Sequence, residues 1–301
     1  MLAPIALFVY ARPDHTRRVV EALQKNSLAE ETDVIVFSDA AKLPEKEKSV
    51  AAVRDYIAEI KGFKSLTVHH RPHNYGLAKS IMEGVTDVIS NYGSIIVVED
   101  DIVTAPDFLR FMNDALDRYR HEPKVWHISG WNYPIDPAGL GNAFFYRLMN
   151  CWGWATWADR WKDFEKNPAR LISEWDKETI KRFNLDGGHC FWEQVKANAS
   201  GKINTWAIFW YATIFLHNGL CLNPTVSYVQ NIGTDGSGEN CGRSDFFLAN
   251  HDAVEVSIFP DVVEESSIAI DRICRFYASL QPTIVTRGID FIYKTCKKII
   301  R

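Results

Sequence analysis

The chain has 301 residues, 47% hydrophobic and 24% charged, with a formal net charge of −4. That length suits one large domain or two small ones of a soluble protein. The acidic balance and the lack of a basic-aromatic stripe exclude a nucleic-acid surface, and no run is long enough to span a bilayer.

Read in order, the first half alternates strands and helices. Pro4 to Tyr10 is a short apolar strand, broken by Ala11-Arg12-Pro13-Asp14, and Thr16 to Gln24 follows as a helix. Val34 to Ser38 is a second strand closed by Asp39, Glu45 to Ile60 an amphipathic helix, Ser65 to His69 a third strand, and Gly76 to Tyr92 a third helix. This alternation predicts an α/β fold with a mainly parallel sheet flanked by helices. Right-handed crossovers then put Arg12, Asp39 and Asn74 on one crevice with whatever ends the next strand.

The next strand, Ile95 to Val98, is wholly apolar and ends in Glu99-Asp100-Asp101. Three adjacent carboxylates repel one another, and hard oxygen ligands beyond a buried strand suit Mg²⁺ or Mn²⁺. A solvated acidic turn that caps the following helix is the plainer alternative. Thr104 is the expected N-cap of that helix, with Pro106 in its first turn. Leu109, Met112, Leu116 and Tyr119, with Phe108 and Ala115 beside them, form its apolar stripe. No GxGxxG or GxxxxGK[ST] loop follows the first strand, which argues against a dinucleotide or P-loop fold.

Val125 to Ser129 and Phe144 to Arg147 read as strands, and Ala158 to Phe164, Glu178 to Phe183 and Phe191 to Asn198 as helices. Aromatics crowd between Trp126 and Trp210, a pattern shared by sugar-binding surfaces and ordinary cores. Gly233 to Gly242 is a glycine-rich loop whose freedom suits a mobile cover. Pro260 to Leu280 is expected to hold a helix. The final stretch, 282–301, is a basic amphipathic helix, suited equally to an anionic membrane surface or to packing on the domain. An N-terminus that enters a strand directly implies a cytoplasmic chain, in which the six cysteines stay reduced.

Four segments together carry a family resemblance: VVEDDIVTAPDFLRF from Val97, the loop His73-Asn74-Tyr75-Gly76-Leu77-Ala78, ISGWN at Ile128 to Asn132, and CWGWATWADRW at Cys151 to Trp161. They resemble GT-A glycosyltransferases, closest to the N-acetylglucosaminyltransferase I-like branch and the bacterial surface-polysaccharide transferases related to it. The resemblance covers roughly the first two-thirds of the chain, in register. It implies a GT-A, Rossmann-like catalytic domain over 1–245, with a nucleotide-sugar part to 125 and an acceptor-side part from 126. A C-terminal helical region over 246–301 follows.

The resemblance also implies roles. Asp101 ligates Mn²⁺ or Mg²⁺ on the nucleotide diphosphate, Asp100 meets the ribose or sugar, and Glu99 supports them. Asp39 meets a nucleobase, by analogy uracil. Arg12, Asn74, Lys79 and Arg243 border the donor. Trp131, Asn132, Trp152, Trp154 and Trp206 border the acceptor. The implied reaction is inverting transfer from a UDP-sugar to a hydroxyl of a lipid-linked or surface glycan, of the lipopolysaccharide or O-antigen kind, at the inner face of a bacterial membrane. Other readings are a sugar-1-phosphate nucleotidyltransferase or a non-catalytic nucleotide-sugar binder.

One position departs from the pattern. Where the relatives carry an aspartate base after a tryptophan, this chain has Trp206-Ala207, and alanine takes no proton. Either the register differs, or another carboxylate such as Glu193 serves, or Ala207 is a substitution that leaves the base missing.

Overall fold

A computed structural model of the chain describes residues 2–236 and 258–280. The strands are β1 (Ile5–Val9), β2 (Asp33–Ser38), β3 (Ser65–His70), β4 (Ser94–Glu99), β5 (Ile102–Thr104), β6 (Val125–Ser129), β7 (Ala143–Tyr146), β8 (Trp154–Trp157), β9 (Leu220–Pro224) and β10 (Val229–Asn231). The helices are α1 (Pro13–Gln24), α2 (Glu47–Ala58), α3 (Gly76–Tyr92), α4 (Phe108–Arg118), α5 (Ala158–Trp161), α6 (Pro168–Glu174), α7 (Lys177–Phe183), α8 (Trp192–Ala199), α9 (Ala207–Leu216) and α10 (Ser267–Leu280).

Eight strands form one sheet in the order β3-β2-β1-β4-β8-β6-β9-β7, and β5 pairs with β10 in a separate ribbon. β3, β2, β1 and β4 run parallel to their neighbours, as do β6 and β9, while β8 and β7 run against theirs. The sheet is thus mainly parallel with helices packed on it, as the alternating pattern predicts. β1 and β4 are apolar because both faces are covered, apart from Ser94 at the start of β4 and Glu99 at the mouth of the crevice. The apolar stripe of α4 is fully buried.

Three local readings need correction. Thr104 does not cap α4. It ends β5, whose register with β10 sets Ile102 opposite Asn231, and Asn26 at the end of α1 caps the helix instead. Its Oδ1 accepts from Leu109 N at 2.9 Å while its Nδ2 donates to Thr104 Oγ1 at 3.2 Å. Second, Trp154–Trp157, for which the pattern indicates no strand, is a central strand between β4 and β6 that leads directly into α5. Third, Phe144 to Arg147 shifts back by one residue, because Arg147 leaves the strand to grip Glu265 with its guanidinium.

Most of the aromatic crowding is core. Trp154 stacks on His127 and Trp206, Trp161 on Phe164, and Trp175 on Trp192. α10 packs along β7 and joins Tyr277 to Tyr133 through their hydroxyls. The basic stretch 282–301 lies outside the described residues.

Candidate active site

The carboxyl ends of β1, β2 and β4 open on one cleft of about 280 Å³. β1 delivers Tyr10, Ala11 and Arg12; β2 delivers Asp39; β4 delivers Glu99, Asp100 and Asp101. Asn74, Gly76, Leu77 and Ser80 come from the start of α3, and Lys42 and Lys46 from the loop before α2. The opposite wall is Cys151, Trp152, Asn204, Thr205, Trp206 and Ala207. Strand ends in a parallel sheet carry the first helical N–H groups of the following helices, so such a crevice suits an anionic ligand.

Arg12 organises the acidic side. Its Nη2 donates to Asp100 Oδ1 and, at 2.8 Å, to Asp101 Oδ2. Burial opposes the guanidinium's charge, but the two carboxylates outweigh it and hold its pKa above the ordinary value. Asp100 Oδ2 accepts from Tyr10 N at 3.2 Å, and Asp101 O from Ile232 N at 2.8 Å. Burial pushes the Glu99 carboxyl up to about 8, with the charges of Asp101 and Asp100 adding to it and Arg12 opposing it. Burial also raises Asp100 despite Arg12. One arginine therefore does not neutralise the acidic end of β4.

These residues fit a divalent cation completed by a substrate. Asp100 and Asp101 offer hard oxygens, and Mn²⁺ or Mg²⁺ bound with a nucleotide needs only one or two carboxylates. Among the described residues no third His, Cys, Asp or Glu completes a ready-made cage. Gly233 packs tightly against Asp101, where a Cβ would sit 2.2 Å from Asp101 Oδ2 and 2.9 Å from Arg12 Nη1.

Asp39 does something the sequence did not suggest. Its carboxylate accepts from Ala40 N (2.9 Å), Tyr75 N (2.8 Å), Gly76 N (2.9 Å) and Asn74 Nδ2 (3.1 Å). Four donors use the four lone-pair sites of an ionised carboxylate. Asp39 thus pins the start of α3 to the end of β2, and Asn74 belongs to the same knot through its bond to Ala40 O at 2.7 Å.

The structure brings Arg12, Asp39, Asn74, Glu99, Asp100, Asp101, Trp152, Trp206 and Ala207 together on the cleft. It does not bring the others. Glu193 lies in the first turn of α8, mostly exposed, paired with Lys196 and away from the cleft wall, because α8 turns Trp192 and Val195 inward instead. Lys79 points along α3 to Glu83 and over the ring of Tyr75. Trp131, Asn132 and Trp154 are buried below the cleft; Asn132 accepts no role at its wall and bonds Thr225 O and Ser227 Oγ. Arg243 lies outside the described residues. Lys42, Lys46, Cys151, Asn204, Thr205 and Asn231 were missed: the lysines, Asn204 and Thr205 sit in polar connections that look solvated until the walls are assembled, Cys151 in an aromatic stretch, and Asn231 at the end of β10.

The sequence pattern of the GNT-I family matches residues 1–185, well over half of the chain. The chain belongs to the GNT-I family. It is a glycosyltransferase of the GT-A fold. Solved structures similar to this GNT-I family member include mannosyltransferase PcManGT from Pyrobaculum calidifontis in complex with GDP-Man and Mn²⁺, at 11% identity and a TM-score of 0.42, covering 71% of this chain and 70% of that one. S. aureus TarS 1-349 is similar at 9% identity and a TM-score of 0.43, covering 75% of this chain and 59% of that one. The same TarS segment in complex with UDP gives 11% identity, a TM-score of 0.44, and the same coverage. This GNT-I family chain thus spans less than two-thirds of the TarS segment.

Proposed function

We propose that this glycosyltransferase is metal-dependent and moves a sugar from a UDP-sugar to a hydroxyl of a lipid-linked or surface-polysaccharide glycan, with inversion. The observation that carries the reading is the paired Asp100 and Asp101 at the end of β4, open to a cleft that Arg12 and the start of α3 share. Asp101, with Asp100, holds Mn²⁺ or Mg²⁺, which supplies Lewis-acid stabilisation of the leaving diphosphate. Arg12 meets diphosphate oxygens as a planar fork. The knot of Asp39 and Asn74 shapes the nucleoside end of the cleft. Glu99, held largely protonated at neutral pH by burial, supports Asp100 and Asp101 without adding a third negative charge.

Trp152 and Trp206 give the acceptor side an aromatic wall. Inversion requires a proton acceptor across the sugar from the diphosphate. Position 207 is on that wall and holds alanine, and among the described residues the wall carries no carboxylate. The chain as it stands therefore binds and activates the donor, with the proton-accepting side chain absent at position 207.

Residues 1–245 form the catalytic part in this reading and 246–301 a C-terminal region whose basic tail, 282–301, meets the membrane surface. The basic amphipathic pattern of 282–301 supports a cytoplasmic-face location. No helix among the described residues is long and apolar enough to cross a membrane.

The test is UDP release by the Ala207→Asp variant, beside wild type, from a panel of UDP-sugars with Mn²⁺ and glycan acceptors. Release that EDTA abolishes and Asp101→Asn removes supports the reading. Release from another nucleotide-sugar only, or release indifferent to EDTA, contradicts it.

A further inference from the structure

Arg12 occupies a telling place. Its Nη2 bridges Asp100 Oδ1 and Asp101 Oδ2, one oxygen from each of the two carboxylates proposed to hold the cation. The side chain is only 19% exposed, and Nη1 is buried without a hydrogen-bond partner. Gly233 closes on that same nitrogen and on Asp101. The guanidinium is thus anchored by one nitrogen and left unsatisfied at the other, an arrangement that favours exchange for a better set of acceptors. Its root is fixed, since Arg12 O accepts from both Thr16 N and Thr16 Oγ1 at 2.9 Å. The side chain can therefore move without the backbone.

A guanidinium bridging two carboxylates and a divalent cation between them repel at this range, so one excludes the other. We propose that Arg12 is an internal counter-ion that keeps bare metal off Asp100 and Asp101, and that a nucleotide diphosphate releases it. The diphosphate offers both guanidinium nitrogens charged acceptors, including the unpartnered Nη1. Metal and nucleotide then bind with strong positive coupling, and the coupling is reciprocal. This inference rests on the metal-nucleotide reading of the cleft, and goes beyond it by assigning the order and coupling of binding.

The experiment is Mn²⁺ binding to the full chain, followed by calorimetry and by the electron paramagnetic resonance of free Mn²⁺, with and without saturating UDP. Wild type is expected to bind bare Mn²⁺ weakly and to gain about a hundredfold in affinity when UDP is present. Arg12→Gln is expected to bind bare Mn²⁺ about tenfold more tightly than wild type, while its gain from UDP shrinks to about fivefold or less. Arg12→Lys, which keeps the charge, stays near wild type for bare Mn²⁺. If Arg12→Gln gains nothing for bare Mn²⁺ while wild type keeps its UDP-dependent gain, Arg12 is a donor ligand only and the counter-ion role is wrong. If wild type already binds bare Mn²⁺ as tightly as with UDP, the exclusion is wrong without recourse to any variant. If UDP binds wild type with no response to Mn²⁺, the metal reading itself fails.

Discussion

Gly233 lies so close to Asp101 that a Cβ there would sit 2.2 Å from the carboxylate oxygen Oδ2. The contact joins two segments far apart in sequence, the end of β4 and the turn after β10, at the point where the cleft is most acidic. Any side chain at 233 must push Asp101 or Arg12 out of place. Overpacking of this kind costs about 1–3 kcal/mol, or roughly tenfold to a hundredfold in binding. Gly233→Ala should weaken Mn²⁺-dependent UDP binding by about tenfold while leaving Tm within a few degrees of wild type. Titration calorimetry beside a thermal melt checks it; unaltered binding would place the working face of Asp101 elsewhere.

Asp39 gives a prediction that separates building from reading. Four N–H groups converge on its carboxylate, two of them from the first turn of α3 and the residue before it. Removing it strands those donors and takes an anion from a helix N-terminus, for about 2–3 kcal/mol. Asp39→Ala should lower Tm by several degrees and weaken UDP binding as the base end of the cleft loosens. A variant of undiminished Tm with weakened UDP binding would instead show that Asp39 contacts the base directly.

Position 207 tests the acceptor side. Ala207 is on the cleft wall at the start of α9. A carboxylate there gains a place to take the acceptor proton, and general-base catalysis is worth about 10²–10⁴ in rate. Ala207→Asp should raise kcat by at least about a hundredfold, with a new ionisation in the acid limb of the pH–rate profile. An unchanged rate means that the base comes from elsewhere in the chain.

Acid stability turns on His127. Its Nε2 donates to Asn150 O at 2.9 Å and its Nδ1 accepts from Trp210 Nε1 at 3.2 Å, so the neutral ring is satisfied on both sides. Burial drives its pKa down to about 3, with the bond to Asn150 only partly opposing this. The unfolded chain, with His127 near its ordinary 6.5, binds the proton that the folded chain refuses. Stability therefore falls as pH drops below about 6.5, by up to about 1.4 kcal/mol per pH unit down to pH ~3. His127→Gln can keep both hydrogen bonds and has no proton to gain. Its denaturation midpoint should be less sensitive to pH between about 6 and 4; a slope equal to wild type's would assign the acid limb to other groups.

The parallel half of the sheet was legible because each of its buried strands is an uninterrupted apolar run and each crossover helix shows its stripe. The end of β4 was legible for the opposite reason, three carboxylates where a buried strand must stop. β8 was not, because Trp154 to Trp157 is a short antiparallel strand covered on both faces, with no alternation or turn signal to set it apart from the loop before α5. Thr104 misled in the same way: its partners are Asn26 and, through β5, the residues of β10. The resemblance set Trp131 and Trp154 at the acceptor, but both are buried, and neither composition nor motif reports depth. Lys42 and Lys46 stand in a charged loop whose facing wall is more than a hundred residues away. Long-range pairing, rather than any local preference, decided each of these.

The central claim is that Asp101 and Asp100 hold a cation that binds the nucleotide with them. It is tested most directly by calorimetric binding of UDP with and without Mn²⁺, to wild type and to Asp101→Ala. The account predicts binding to wild type that strengthens sharply with Mn²⁺, and a variant that folds but loses this response. Equal UDP binding by both proteins, with or without Mn²⁺, would contradict it and leave the acidic end of β4 as a turn paired to Arg12.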